Sequence, residues 1–302
     1  MQDLLDKDVS DETVEYFYKL PLYARRRWLV DGSTNIPRFF YKYRHVPQTL
    51  ASTTSNDWTG LERLLTQNEI YYAAVDQFND VHESVANVIL NSDKSTILEA
   101  MIAIAMRVKG VSSIEAEAFI QTEFLADRQR LSMHLESVIN RGLRKAGIFS
   151  MTQDAREPTM WGYYASESAG IAVQLASQHA VQPLALAEEV TYVEQKPALD
   201  YMLESLYDRM GDRMLELLTT KHDRWAHESE WRLLHRGAHD VETLPPEAVS
   251  GLIFGPRATP YSIAFVQELL AARVSRSLPM PKLWRAVVNP ARRRLTIRRF
   301  TE

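Results

Sequence analysis

Gly147-Ile148-Phe149-Ser150-Met151 and Gly170-Ile171-Ala172-Val173-Gln174-Leu175 are short β-branched and aromatic runs, each opened by a glycine, and they read as core strands. Val190-Thr191-Tyr192-Val193 has the same texture, as do Glu230 to Leu234, Leu252 to Phe254, Leu283 to Val288 and Leu295 to Arg298. Upstream, Phe39-Phe40-Tyr41-Lys42-Tyr43-Arg44 alternates basic and aromatic side chains and ends near Pro47, which suits a short strand, and Ile70 to Val75 supplies another. Between these runs the spacing becomes helical. Trp58 to Gln67 is one helix, and Pro197 to Lys221 is expected to be another. Residues 95–145 form a helical insert with apolar positions at Ile97, Met101, Ile104 and Ala105, a break at Gly110, and a Ser112/Glu115 capping box opening the next helix. Short strands separated by helices of unequal length, with no regular βα alternation, predict an α+β fold and argue against a doubly wound sheet.

The chain has 302 residues, 45% hydrophobic and 25% charged, enough to bury a sizeable core. At about 150 residues per domain the length permits two units. No repeat, low-complexity tract or Gly/Ser linker separates them, so the expectation is a single domain, 1–302, with an acidic-fronted N-terminal helix near Ser10 to Leu20. The absence of cysteine excludes disulfides, thiolate metal sites and cysteine nucleophiles. The opening residues are acidic where a secretory signal is basic and then apolar, and no stretch approaches the length of a membrane span. A cytoplasmic protein with no membrane partner is expected. A net charge of -4 gives no global attraction to polyanions, so such a partner needs a local patch. The arginines at 285, 292, 293, 294, 298 and 299 offer one, unless they form a solvated strand face or pair with the acidic N-terminal segment.

Three clusters place polar residues inside runs that otherwise look buried. The first joins Tyr41 to His45 with Asp76 to Glu83, the second runs from Phe149 to Asp154 and on through Trp161, Tyr163 and Tyr164, and the third spans Lys221 to Arg232. In this order, Tyr41-Lys42-Tyr43-Arg44, Phe78-Asn79-Asp80, Phe149-Ser150, Met160-Trp161, Glu228-Ser229-Glu230-Trp231-Arg232 and Ile253-Phe254-Gly255 resemble a large bacterial family of uncharacterised domains. The likeness runs from about Phe39 to Gly255. That family is in turn similar to a divergent branch of the ADP-ribosyltransferase superfamily, whose Arg–Ser–Glu members carry an Arg on the first strand, a Ser-Thr-Ser-like strand and a Glu-x-Glu pair.

The resemblance implies small split sheets around a cleft, NAD as a substrate and no metal. Transfer of ADP-ribose, or hydrolysis of NAD, passes through an oxocarbenium-like transition state that a carboxylate stabilises. By the same resemblance Glu230 binds the ribose hydroxyl, and Glu228 orients or deprotonates the acceptor. Ser150 positions the ribose and holds Glu230. Arg44 grips phosphate or ribose, with His45 beside it leaving a His-led variant open. Trp161, Tyr163 and Tyr164 supply aromatic faces for nicotinamide, and Asn79 and Asp80 belong to a loop closing the pocket. The acceptor is a macromolecule, protein or nucleic acid, and a role as a toxin or phage-defence effector is compatible with such families. Ser150-Met151-Thr152 departs from Ser-Thr-Ser.

Each residue also has a purely structural reading. Arg44 can pair with Asp80 or Glu83, the Trp161 to Tyr164 aromatics can plug a core, and Glu228 and Glu230 can be charges that protect an edge strand. Two other functions compete. One is a metal-dependent nuclease or hydrolase using Asp80, His82, Glu83, His222 and Asp223, although no zinc, phosphate-loop or dinucleotide motif supports it. The other is a non-catalytic regulatory module that recognises a ligand.

Overall fold

The structure is a computed structural model and describes residues 36–50, 59–80, 82–123, 128–177, 183–207 and 209–301. The expected N-terminal helix lies outside the described residues. The chain runs through β1 (Phe39–Arg44), α1 (Thr59–Gln67), β2 (Glu69–Tyr71), β3 (Ala73–Ala74) and β4 (Val88–Ile89) into the insert helices α2 (Lys94–Lys109), α3 (Ser113–Glu123) and α4 (Arg128–Leu143). It continues with β5 (Gly147–Thr152), α5 (Pro158–Tyr164), β6 (Ile171–Ala176), β7 (Glu188–Glu189), β8 (Thr191–Val193), β9 (Leu199–Asp200), α6 (Tyr201–Leu206), α7 (Met210–Thr219) and β10 (Thr220–His222). The last stretch holds β11 (Glu230–His235), β12 (Val241–Thr243), β13 (Val249–Phe254), α8 (Pro260–Ser275), β14 (Lys282–Val287) and β15 (Thr296–Arg299). This is an α+β arrangement.

The main sheet has the order β15-β14-β13-β6-β1-β5-β11-β7, with β3 also paired to β5. Only β13 and β14, joined through α8, run parallel within it. A pair of small sheets was expected, and the structure has one nine-stranded sheet in their place. Its weakest junction is central: β1 pairs with β6 along six residues and β5 with β11 along six, whereas β1 and β5 share the single pair Tyr41↔Thr152. Beyond that pair the strands part, and the same edge of β5 is taken up by β3 at Ile148 and Gly147. An opening therefore lies along residues 149–151.

Side-chain alternation assigns the two faces of the sheet. Phe40, Phe149, Met151, Val173, Leu175, Trp231, Leu233, Leu252 and Phe254 bury one face under Leu61, Leu64 and Leu65 of α1 and Val266 and Leu270 of α8. On the other face there are two separate clusters. One is built by the insert and α6–α7 through Ile97, Leu131, Leu135, Ile139, Leu143, Met202 and Leu217, meeting Ile148. The other is built by Met160 and Trp161 of α5 on Tyr43, Ala172 and Ile253. Tyr43 and Met160 of the second of these clusters also border the pocket described below.

The helices end where their sequences provide caps. The Asp93 carboxylate accepts from the Ser95 and Thr96 amides at the start of α2, and Gly110 closes it at φ 66°. Ser112 and Glu115 bond reciprocally ahead of α3, as the capping-box reading required. Two expected elements are broken up. The helix expected over 197–221 is α6 and α7, with Leu199–Asp200 and Thr220–His222 drawn into ladders with β4 and β8. The strand expected over 70–75 breaks at Tyr72, whose amide bonds the Asp240 carbonyl while its own carbonyl accepts from His239, and it ends in a 3-10 turn at Val75–Gln77.

Candidate active site

The opening between β1 and β5 is a pocket of about 500 Å³, within the usual size range of small-molecule sites. Arg44 and His45 from the end of β1, Ser150 of β5, Glu228 closing the 3-10 turn 223–228, Glu230 opening β11, Tyr163 and Tyr164 of α5, and Asn79 and Asp80 after β3 all line it. Lys42, Phe78, Glu83, Lys221 and Trp225 complete much of the wall.

Trp161 is the exception among the expected residues. It is 0% exposed, its indole N–H donates to the Ala155 carbonyl at 2.9 Å, and Tyr43 packs edge-on against it at 5.0 Å. The plug reading is the correct one for Trp161, while Tyr163 and Tyr164, further along α5, face the pocket.

The carboxylates are organised by buried cations. The Lys221 ammonium lies 2.6 Å from Glu228, 3.0 Å from Glu230 and 3.4 Å from Glu83. Arg232, wholly buried, donates from Nε to Glu230 Oε1 at 2.9 Å and from Nη2 to Glu230 Oε2 at 2.9 Å, and also binds Glu83. Its Nη1 donates to the Leu218 carbonyl at 2.5 Å. Three carboxylates thus share two cations, an arrangement in which every partner is needed because an unpaired buried charge is costly. Burial pushes Glu230 up, Lys221 opposes this, and Glu228 adds to it. Burial lowers Lys221, but Glu230 and Glu228 outweigh it, so the ammonium is held charged well above the usual lysine range. β11 lies between β5 and β7, so Glu230 is no edge-strand charge.

Glu228 is the less occupied of the pair. It accepts from Lys221 through Oε2 and from the Tyr164 hydroxyl at 2.7 Å through Oε1, leaving acceptor capacity that Glu230, with three donors, has largely spent. Burial and then Glu228 push the Tyr164 phenol up, so it remains a donor. Asn79 stands beside the same hydroxyl.

The β1 side of the pocket is cationic. Arg44 forms no ion pair with any described residue, and neither Asp80 nor Glu83 reaches it, since Asp80 accepts from the Trp225 indole and Glu83 is held by Arg232 and Lys221. The Arg44 Nε is buried with no hydrogen-bond partner among the described residues, and burial lowers the guanidinium to about 10. Lys42 is lowered to about 7, by burial first and then by Arg44. Ser150 Oγ is buried near Glu230 without a well-formed hydrogen bond. At the rim, His45 Nδ1 accepts from the Ser166 amide at 3.1 Å. This fixes a turn in which Ser166, Glu167 and Ser168 all have positive φ (46°, 51° and 75°). The turn survives because Gly255 lets the backbone approach it, and a Cβ there would sit 2.2 Å from the Ser168 oxygen.

Four of the five residues of the metal reading are engaged in other bonds: Glu83 with Arg232 and Lys221, Asp80 with Trp225, and His222 with Asp223 and the Arg224 amide. Among the described residues no group of three or more His, Asp and Glu is placed to hold a metal ion, and no helix is long and apolar enough to cross a membrane.

Compared with known proteins, the chain matches no family model, no curated protein and no solved structure.

Lys42, Glu83, Lys221 and Arg232 fall within the three clusters singled out in the sequence, but sequence reasoning gave them no part in organising the Glu228/Glu230 pair. For Arg232 a signal existed, since it stands between Trp231 and Leu233 at a position whose strand neighbours on its own face are Glu230 and Leu234. An arginine inside an apolar strand requires a buried counterion.

Proposed function

We propose that the pocket binds NAD and breaks the bond between nicotinamide and ribose, passing ADP-ribose to a macromolecular acceptor or to water, within an ADP-ribosyltransferase-like split-sheet fold. The observation that carries this reading is the convergence of Arg44, Ser150 and the Glu228/Glu230 pair, from three strands far apart in sequence, on one opening where the sheet divides. The charge pattern supports it. Lys42 and Arg44 on one side suit the pyrophosphate, and Glu228 and Glu230 on the other suit the positive charge that develops on the ribose. Arg44 Nε, buried without a hydrogen bond among the described residues, gains a partner from such a ligand.

In this reading C1′ of the ribose loses nicotinamide, which leaves with the bonding electron pair, and an oxygen or nitrogen of the acceptor forms the new bond to C1′. The acceptor's proton passes to Glu228, the carboxylate with free acceptor capacity, while Glu230, fixed by Arg232 and Lys221, stabilises charge without moving. Tyr164 orients Glu228. The test is release of nicotinamide from NAD by the purified protein, with and without candidate acceptors.

One observation favours a second reading. Because Glu230 is already bonded to both Arg232 and Lys221, the network can serve as the rigid floor of a non-catalytic NAD-binding module. NAD binding without nicotinamide release distinguishes it.

A further inference from the structure

A second cleft, of about 750 Å³, adjoins the first, and Tyr163 lines both. Four arginines line it: Arg257 after β13, and Arg292, Arg293 and Arg294 in the loop between β14 and β15. Asp154 holds Arg294, while Arg257, Arg292 and Arg293 are exposed and make no ion pair with any described residue. Glu167 is the one carboxylate in the lining. In a chain of net charge -4 this is a local concentration of planar cationic forks, and guanidinium groups match phosphate oxygens in pairs. Tyr163, 63% exposed, stands where the two clefts meet. An exposed aromatic ring beside a cationic groove is the combination that holds single-stranded nucleic acid, with phosphates on the arginines and a base stacked on the ring. An acidic peptide uses the arginines but has no use for the ring. From Tyr163 the path to the chemistry is short, because its ring lies 6.3 Å from that of Tyr164, whose hydroxyl bonds Glu228.

We propose that this cleft seats single-stranded nucleic acid and delivers one of its nucleotides to Glu228 as the acceptor. The acceptor role rests on reading the first pocket as an NAD site. A ring nitrogen, exocyclic amine or hydroxyl oxygen of that nucleotide bonds to C1′, nicotinamide departs with the electron pair, and the nucleotide's proton goes to Glu228.

The experiment measures anisotropy of labelled single-stranded DNA and RNA of about 12 nucleotides, with polyglutamate of equal charge in parallel, as salt rises from about 50 to 200 mM. On the same wild-type preparation, nicotinamide release and the mass of the oligonucleotide are read after incubation with NAD. Binding is expected to fall with salt at a log–log slope near −2, from about three arginine–phosphate contacts. Combined Arg257→Gln, Arg292→Gln and Arg293→Gln should weaken it by about tenfold or more. Tyr163→Ala should weaken it by about tenfold. The oligonucleotide should gain the mass of ADP-ribose. Absent binding, binding that survives the arginine substitutions, or equal binding of polyglutamate overturns the cleft assignment. Nicotinamide release with a bound but unmodified oligonucleotide overturns the acceptor assignment alone. Arginine-dependent binding by a protein that releases no nicotinamide upholds the cleft and removes the transferase reading of the first pocket.

Discussion

Lys42 Nζ donates to the Ser150 carbonyl oxygen at 2.6 Å, across the opening where β1 parts from β5. Past Tyr41↔Thr152 a continuous ladder would offer that carbonyl a backbone partner. Here a lysine side chain supplies the bond, keeps the sheet from closing, and lies over the Phe149 ring at 4.8 Å. The pocket exists because this strand pair is held apart.

Lys42 leaves a pH signature. Its folded pKa of about 7 lies below the ordinary lysine value of 10.5, through burial and the nearby Arg44, with Glu230 and Glu228 opposing. Between those values the unfolded chain binds more protons than the folded one, so this group's contribution to stability rises with pH from about 7 towards 10 and is least favourable below 7. Urea midpoints measured across this window should climb more steeply for the wild type than for Lys42→Met. Parallel profiles would contradict the assignment.

The Arg232 network should be fragile to the loss of one member. Arg232→Met strands Glu83 and Glu230 beside a single lysine, and the expected cost is about 3–5 kcal/mol in denaturant unfolding. A loss below about 1 kcal/mol would mean that these carboxylates are not buried together.

Of the three aromatics of α5 that were read alike from the sequence, Trp161 and Tyr163 should behave in opposite ways. Trp161→Ala empties a fully buried site and should cost about 3–5 kcal/mol. Tyr163→Ala, at an exposed position, should change stability by no more than about 0.5 kcal/mol. Equal thermal shifts for the two variants would refute this division.

Much of the architecture could be read in the sequence because it is local. The strands at 148, 171, 230 and 252 announce themselves by short β-branched, aromatic or leucine-rich runs, and the insert helices by apolar spacing and the Ser112–Glu115 box. What could not be read is settled by distant partners. Tyr72 breaks a strand because a loop near Asp240 binds its backbone, and residues 199–200 leave a helix to pair with 88–89. The same holds at the site. Residues 44, 150, 228 and 230 were named through an ordered motif, whereas the pairing of Glu83 with Arg232 spans 149 residues and has no local trace. Trp161 was misplaced because helical periodicity does not say which side of a seven-residue helix is covered.

The most direct measurement is nicotinamide release from NAD by the wild type and by Glu230→Gln, with folding of both verified by thermal melting. The expected result is release by the wild type, reduced about 100-fold or more in a folded Glu230→Gln protein. A wild type that neither binds nor cleaves NAD in the presence of candidate acceptors, or a Glu230→Gln protein that releases nicotinamide at the wild-type rate, would contradict the role given to this pocket.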